Sequence, residues 1–202
     1  NHGILFLGDL VNRGPYSIPC AALARRLVEA GHALVLPGNH EVRARLYLQG
    51  AAMTDKDRDR SQALIREVEA DRRARAELTA FVALLEEMPC WGRLGDHLFA
   101  HAAVPAPLIA RPPAVFRDYA RGADPELDTA IDGERTGDAV TYRWLDALPD
   151  GLSVYIGHDP QPQGAPPLRH GAGGARLHHL DYGCGRFSGR LRTLEIRADR
   201  LT

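Results

Sequence analysis

A chain of 202 residues is long enough for one domain with a full core, and 45% hydrophobic with 25% charged residues is an ordinary globular composition, which excludes collagen, low-complexity disorder and coiled coil. Twenty-five basic residues against twenty-six acidic ones leave a net charge of −1, so charge supports neither a strong nucleic-acid footprint nor a membrane surface. No apolar run approaches a bilayer span, and the three scattered cysteines, Cys20, Cys90 and Cys184, read as buried thiols of a reducing cytoplasm rather than as a disulfide framework.

In chain order, the apolar run Ile4–Leu7 reads as a buried strand that delivers Asp9 to its C-terminal end. After the turn Gly14-Pro15, the spacing of Ile18, Ala21, Ala22, Leu23, Leu27 and Val28 predicts a helix over Ser17–Ala30, stopped by Gly31. Ala33–Leu36 predicts a second strand, closed by Pro37-Gly38, which completes a βαβ unit. Glu41–Gln49 predicts a helix, and residues 55–88 predict two more, with apolar faces at Leu64, Ile65 and Val68 and then at Leu78, Phe81, Val82, Leu84 and Leu85. The charge run Asp55–Arg60 reads as a solvated face or a cap. Trp91–Leu94 and His97–Ala100 flank Gly95-Asp96 as a hairpin. Residues 105–140 read as irregular, with one short helix near Val115–Tyr119. Ser153–Ile156 is a strand ending in Gly-His, Pro160–Gly174 is a loop, and Leu177–Leu180 and Leu191–Ile196 are late strands. The expected fold is α/β, a layered β-sandwich flanked by helices with an α-helical insertion at about 41–88, in one domain over 1–202.

Four segments repeat one design, an apolar strand followed by a turn that holds a metal-ligand type. They are Gly8-Asp9 in GDLVNRGP, Asn39-His40 in GNHE, His101 in FAHAAVP and His158 in YIGHDP. In α/β sheets, ligands bind outside the carboxyl ends of strands. A mixed set of Asp, Asn and His suits Mn²⁺, Fe or Zn²⁺ better than Ca²⁺. A carboxylate such as Asp9 can bridge two cations, which together acidify a water and clamp a phosphoryl group. Taken singly, each residue also has a structural reading: Asp9 as a turn cap, Asn39 in a left-handed turn, His101 and His158 as hydrogen-bonded core histidines. His178 and His179 read as strand residues facing opposite ways, and His32, His97 and His170 as surface residues.

The order GDxxxRG, GNHE, a strand-end His and then GH resembles the binuclear metallophosphoesterases of the calcineurin-like superfamily. GDLVNRGP, GHALVLPGNHE and LDYGCGRFSGRLRTLEI are most similar to its bacterial phosphoprotein-phosphatase-type branch. That branch holds serine/threonine phosphatases, symmetrical diadenosine tetraphosphatases and RNA-repair phosphatase modules. The resemblance spans Ile4 to Ile196 and implies a metallophosphatase-like sandwich. It also implies hydrolysis of a phosphate ester by attack of a metal-bound hydroxide, with two divalent ions, Mn first and Fe or Zn as alternatives. It implies that Asp9 bridges both metals and that Asn39, His101 and His158 ligate the second. His40 would be the general acid or its orienting partner, and Arg13 would hold the phosphate, as a guanidinium fork fits phosphate oxygens. Arg143 would be a second phosphate ligand, and Asp181 a carboxylate near the site.

Two departures stand out. Asn12 occupies the place of an Asp that orients the acidic His, and an amide cannot raise the His pKa as a carboxylate does. The family also opens with a strand ending in Asp-x-His-Gly, which supplies the rest of the first metal site. This sequence starts at Asn1 with no such motif, so the opening strand and helix are expected to be missing from it. The expected substrate is a phosphorylated protein or nucleotide. Phosphomonoester hydrolysis of the serine/threonine phosphatase type comes first, with dinucleoside polyphosphate or RNA-end hydrolysis as the alternative. A binding or regulatory module with an incomplete metal site is the non-enzymatic alternative.

Overall fold

Strand β1 (Ile4–Phe6), helix α1 (Ser17–Glu29) and strand β2 (Ala33–Val35) form the expected βαβ unit in a computed structural model that describes residues 3–162, 168–185 and 189–197. The strands pair in parallel, Ile4 with Ala33 and Phe6 with Val35, so both carboxyl ends lie on one side. Leu23, expected on the apolar face of α1, is instead exposed; Ser17, Ala21 and Ala24 are the residues that α1 buries. Helix α2 (Asn39–Leu48) starts two residues earlier than predicted, because Gly38 caps it and the Glu41 carboxylate accepts the Gly38 N–H at 2.8 Å. Asn39 is therefore the first helical residue and holds no left-handed turn.

Helices α3 (Asp55–Ala70) and α4 (Arg72–Leu85) complete the helical stretch predicted over 41–88. Thr54 and Asp71 cap them, accepting from the N–H groups of Asp57 and Arg73 at 3.1 and 2.8 Å. Leu64 and Val68 of α3, with Leu78, Phe81, Val82 and Leu85 of α4, enter the core. The predicted charge run is the first turn and a half of α3. One member, Asp57, is buried rather than solvated.

The chain divides into two compact units, Asn1–Met88 with Val115–Arg117, and Pro89–Ala114 with Asp118–Thr202. The first comprises the elements above. The second begins with the predicted hairpin β3 (Trp91–Leu94) and β4 (His97–Ala100). Residues 105–140, expected to be largely irregular, carry α5 (Ala106–Ile109), a 3₁₀ turn (Phe116–Asp118), α6 (Pro125–Asp132), β5 (Glu134–Thr136) and β6 (Ala139–Thr141). The Asp124 carboxylate caps α6 through the Glu126 and Leu127 N–H groups at 3.1 and 3.2 Å, and Pro125 takes the first helical position. Helix α7 (Arg143–Asp146) follows.

Strands β7 (Ser153–Ile156), β8 (Leu168–His170) and β9 (Arg176–His179) join the hairpin in a five-stranded sheet of order β3-β4-β7-β9-β8. β4, β7 and β9 run parallel, so their carboxyl ends share one edge. Val154, Ile156, Leu98, Ala100 and Leu177 form the buried face. The loop predicted over 160–174 thus contains a strand at 168–170; its residues 163–167 lie outside the described residues. The last predicted strand shortens to β11 (Arg190–Leu191), paired with β10 (Asp181–Tyr182). Among the three free thiols only Cys90 is buried; Cys20 and Cys184 are exposed. Among the described residues, no helix is long and apolar enough to cross a membrane.

Candidate metal centre

In the first unit, Asp9 and Asn39 follow two adjacent parallel strands and so emerge on the same side. Asp9 has φ +57° and Asn12 φ +77°, a left-handed backbone that costs a non-glycine residue free energy and persists only where surrounding structure fixes it. The fixing group is Glu41. Its fully buried carboxylate accepts the backbone N–H groups of Asp9, Leu10 and Gly38, each at 2.8 Å. Asp9 in turn accepts the His40 N–H through Oδ1 at 3.1 Å, and its Oδ2 lies 3.5 Å from His40 Nε2.

Asn12 donates from Nδ2 to the His40 carbonyl at 3.0 Å and so holds the backbone of that residue. Its buried Oδ1 has no hydrogen-bond partner among the described residues. Arg13 is exposed.

Beneath Asn39 lies a buried ion pair. Arg43 Nε bonds Asp57 Oδ1 at 2.7 Å, and Arg43 Nη1 donates to Asn39 Oδ1 at 3.3 Å. Thr54 Oγ1 donates to the other Asp57 oxygen at 2.9 Å. The cap of α3 therefore orients the Asn39 amide through Asp57 and Arg43.

In the second unit, His101 follows β4 directly and His158 follows β7 by two residues. The Gly157 N–H bonds the His101 carbonyl at 2.8 Å and ties the two strand ends together. His101 is buried, and its Nε2 faces His158 Nδ1 at 3.1 Å with the rings at 87°. His158 has φ +68°. Behind it, the Tyr142 hydroxyl donates to Asp159, and Gln161 Nε2 donates to the same carboxylate at 3.0 Å. Burial and that carboxylate push the Tyr142 hydroxyl pKa up, so it stays a donor.

The other expected residues stand further from this pair in role. Arg143 is exposed, and its guanidinium and its own N–H both bond Glu134, at 3.2 and 2.9 Å. Asp181, the first residue of β10, accepts the Gly183 N–H at 2.7 Å in a local turn at the end of that strand. His178 and His179 face opposite ways as expected, and His179 is fully buried with its pKa pushed down to about 4, first by burial and then by Arg169. His32 and His170 are exposed as expected, whereas His97 is half-buried and bonds the Tyr155 hydroxyl at 2.8 Å.

Sequence reading missed Glu41, Arg43 and Asp57. For Glu41 a signal existed: an acid three residues after Gly38 is the capping-box spacing.

Within the first unit the Asp9 carboxylate and the Asn39 amide oxygen, and within the second the two imidazoles of His101 and His158, are donor types that suit divalent cations of borderline hardness.

Residues 1–165 match the profile of the calcineurin-like phosphoesterase family. Two curated relatives are both named bis(5'-nucleosyl)-tetraphosphatase PrpE, asymmetrical. The one from Oceanobacillus iheyensis is 27% identical over 79% of this chain and 63% of its own length. The one from Bacillus subtilis is 27% identical over 78% of this chain and 64% of its own length. The chain thus spans less than two thirds of these relatives. A solved structure described as a putative diadenosine tetraphosphatase aligns with TM-score 0.50 and 22% identity over 94% of this chain and 73% of that one, a likeness of fold.

Proposed function

The chain belongs to the calcineurin-like phosphoesterase family, and we propose that it hydrolyses a phosphate ester with the help of two divalent cations, manganese first. In this reading residues 1–202 act as one metallophosphoesterase domain. Asp9, Asn39, His101 and His158 are the residues that would hold the cations, with Asp9 shared and the other three given to the second.

The observation that carries the reading is the approach of His101 Nε2 and His158 Nδ1 to 3.1 Å at two tied strand ends. Two imidazole lone pairs aimed at one point are costly unless a proton or a cation sits between them. Bound cations there would acidify a water and polarise phosphoryl oxygens.

The chain's own residues supply the rest. His40, beside Asp9, holds the proton that the departing oxygen takes. Asn12 fixes the His40 backbone, and Arg13 and Arg143 hold phosphoryl oxygens. Asp181 orders the turn after β10.

Among substrates, the names of the curated relatives favour a dinucleoside polyphosphate over a phosphoprotein or an RNA end. Free, scattered thiols support a reducing cytoplasm.

The test is Mn²⁺ titration by calorimetry together with hydrolysis of p-nitrophenyl phosphate. Binding and activity that both vanish in Asp9→Asn and in chelator support the reading; undiminished activity in metal-free buffer refutes it.

A further inference from the structure

The parallel strands of the five-stranded sheet carry a second group of polar side chains, at the end away from the candidate metal ligands. His97, Ser153 and Arg176 are the first residues of β4, β7 and β9 and pair across the sheet in one row. Phe99, Tyr155 and His178 pair in the next row. By strand alternation these six share the face opposite Leu98, Val154 and Leu177, which are buried in the core. His101 and His158 stand beyond the other end of β4 and β7.

The second row is a rack of rings. Tyr155 stacks on His178 with centroids 4.6 Å apart and planes at 10°, and on Phe99 at 5.1 Å and 17°. Those separations match the strand spacing of a sheet, about 4.8 Å, so the rings stand side by side, faces covered and edges outward. Aromatic edges carry partial positive charge. The Tyr155 hydroxyl reaches the first row, where it bonds His97 Nδ1 at 2.8 Å and takes a hydrogen bond from Ser153. Tyr155 and Ser153 are buried, and with Arg176, His178, Asp96 and residues 194–197 they line a cavity of about 680 Å³. Small-molecule sites occupy ~300–1,000 Å³.

Charge selects the ligand. At this cavity Asp96 pairs with Arg93 at 3.9 Å and Glu195 with Arg197 at 3.6 Å. The Arg176 guanidinium makes no ion pair or hydrogen bond among the described residues, and its cross-strand neighbours are Ser153 and His170 rather than acids. One uncompensated guanidinium beside hydroxyls, imidazoles and ring edges suits a single negative charge. Its planar fork matches a carboxylate in two parallel bonds, and ring edges pack edge-to-face on another aromatic system.

We propose that this face of the sheet binds a small monocarboxylate with a planar aromatic body, its carboxylate on Arg176 and its body against the edges of Tyr155 and His178. The site uses none of the candidate metal ligands and is present in the metal-free chain.

The test is equilibrium binding of naphthoate to the whole chain in chelator, which keeps the carboxylate from meeting a cation elsewhere. Naphthoate should saturate one site, and Arg176→Ala should weaken it about tenfold to a hundredfold, the loss expected for a charge-assisted contact. Arg176→Lys should restore part of the affinity. Because Arg176 is exposed, Arg176→Ala should melt within about 2 °C of wild type. The neutral isostere naphthamide should bind more weakly than naphthoate and equally to wild type and Arg176→Ala. Orthophosphate at the same concentration should not displace naphthoate. In proton NMR spectra naphthoate should shift the ring resonances of His178 and leave those of exposed His32, in the first unit, in place.

No saturable naphthoate binding, equal affinity for naphthamide, or an affinity unchanged in Arg176→Ala overturns the proposal. So does displacement by orthophosphate, or binding that leaves His178 unshifted. None of these outcomes bears on metal-dependent hydrolysis, which is measured without chelator and on other residues.

Discussion

Glu41 is the residue whose loss should be felt most widely in the first unit. Its carboxylate is fully buried and takes three backbone N–H groups, from Gly38 and Asp9 on one oxygen and Leu10 on the other, all at 2.8 Å. A hydrogen bond to an ionised group contributes about 1.5–3 kcal/mol. Three at the low end would be about 4–5 kcal/mol, and water entering beside half-buried Asp9 recovers part of this, so Glu41→Ala should cost ~3–4 kcal/mol. Against a total stability of about 5–15 kcal/mol that is a large fraction. With a urea slope near ~2 kcal/mol/M the midpoint should fall by about 1.5–2 M. Glu41→Gln should be intermediate: its amide oxygen can keep the two bonds of Oε2, but its NH₂ then meets the Leu10 N–H, donor against donor. Because the same bonds hold Asp9 at φ +57°, Mn²⁺ affinity should fall in the same order. Urea unfolding and calorimetry of all three proteins measure this. A Glu41→Ala midpoint within about 0.3 M of wild type with unchanged Mn²⁺ affinity would refute the reasoning, as would a Gln variant weaker than Ala.

Asp57→Ala should destabilise by about 3–5 kcal/mol, because it strands the buried Arg43 guanidinium; adding Arg43→Met should recover most of that, and a thermal-melt double-mutant cycle with no recovery would count against the pair. His40→Ala should keep Mn²⁺ yet lose rate, more on substrates with poor leaving groups than on p-nitrophenyl phosphate, whereas Asp9→Asn should lose both metal and rate; equal rate losses for His40→Ala on the two substrate types would remove its acid role. His179 gives a pH dependence of stability. Its folded pKa is pushed down to about 4 from an ordinary 6.5, so below pH 6.5 the unfolded chain takes up a proton that the folded one refuses. Stability is complete above about pH 6.5 and falls by up to ~3 kcal/mol as pH drops towards 4. Urea unfolding at pH 5 and pH 8 should show a smaller difference in His179→Phe than in wild type, and an equal difference would exclude His179 as a source.

The regular elements that sequence reading found are those where burial and pattern coincide. Ser153–Ile156 and the Trp91–Ala100 hairpin have apolar faces and turn residues that agree with each other, whereas β1, expected to be buried, forms where predicted but leaves Ile4 exposed and Leu5 and Phe6 half-buried. The β5–β6 hairpin was missed because Glu134-Arg135-Thr136 offers no apolar alternation; its strands are shaped by a two-residue turn at Gly137-Asp138 rather than by a buried face. Helix α6 was missed although Asp124-Pro125-Glu126 is a readable start, with an N-capping acid, a proline at the first position and an acid in the first turn. The predicted loop at 160–174 hid β8, whose Arg169 and His170 are exposed on the outer strand of the sheet. Asp57 looked like solvent-facing charge because its partner, Arg43, lies fourteen positions away on another helix, and only the tertiary fold joins them.

For the candidate site residues, sequence supplied the side-chain types and the fold supplied the reason that each stands where it does. Asp9, Asn12 and His158 are the non-glycine residues with positive φ among the described residues, and all three fall in the motifs on which the family resemblance rests. Glycine would adopt that backbone without strain. A side chain kept there is retained against a conformational cost, and each is held by specific bonds. Glu41 holds the Asp9 backbone. The Ser17 hydroxyl accepts the Asn12 N–H at 3.2 Å, and His101 meets His158 at 3.1 Å. None of these partners is adjacent in sequence, and two of the three lie more than thirty positions away. Strain at these motif residues and the groups that enforce it are therefore a tertiary property. The GDxxxRG and GH motifs record where the strain is stored, and in the first the buried carboxylate of Glu41 and the Ser17 hydroxyl hold it.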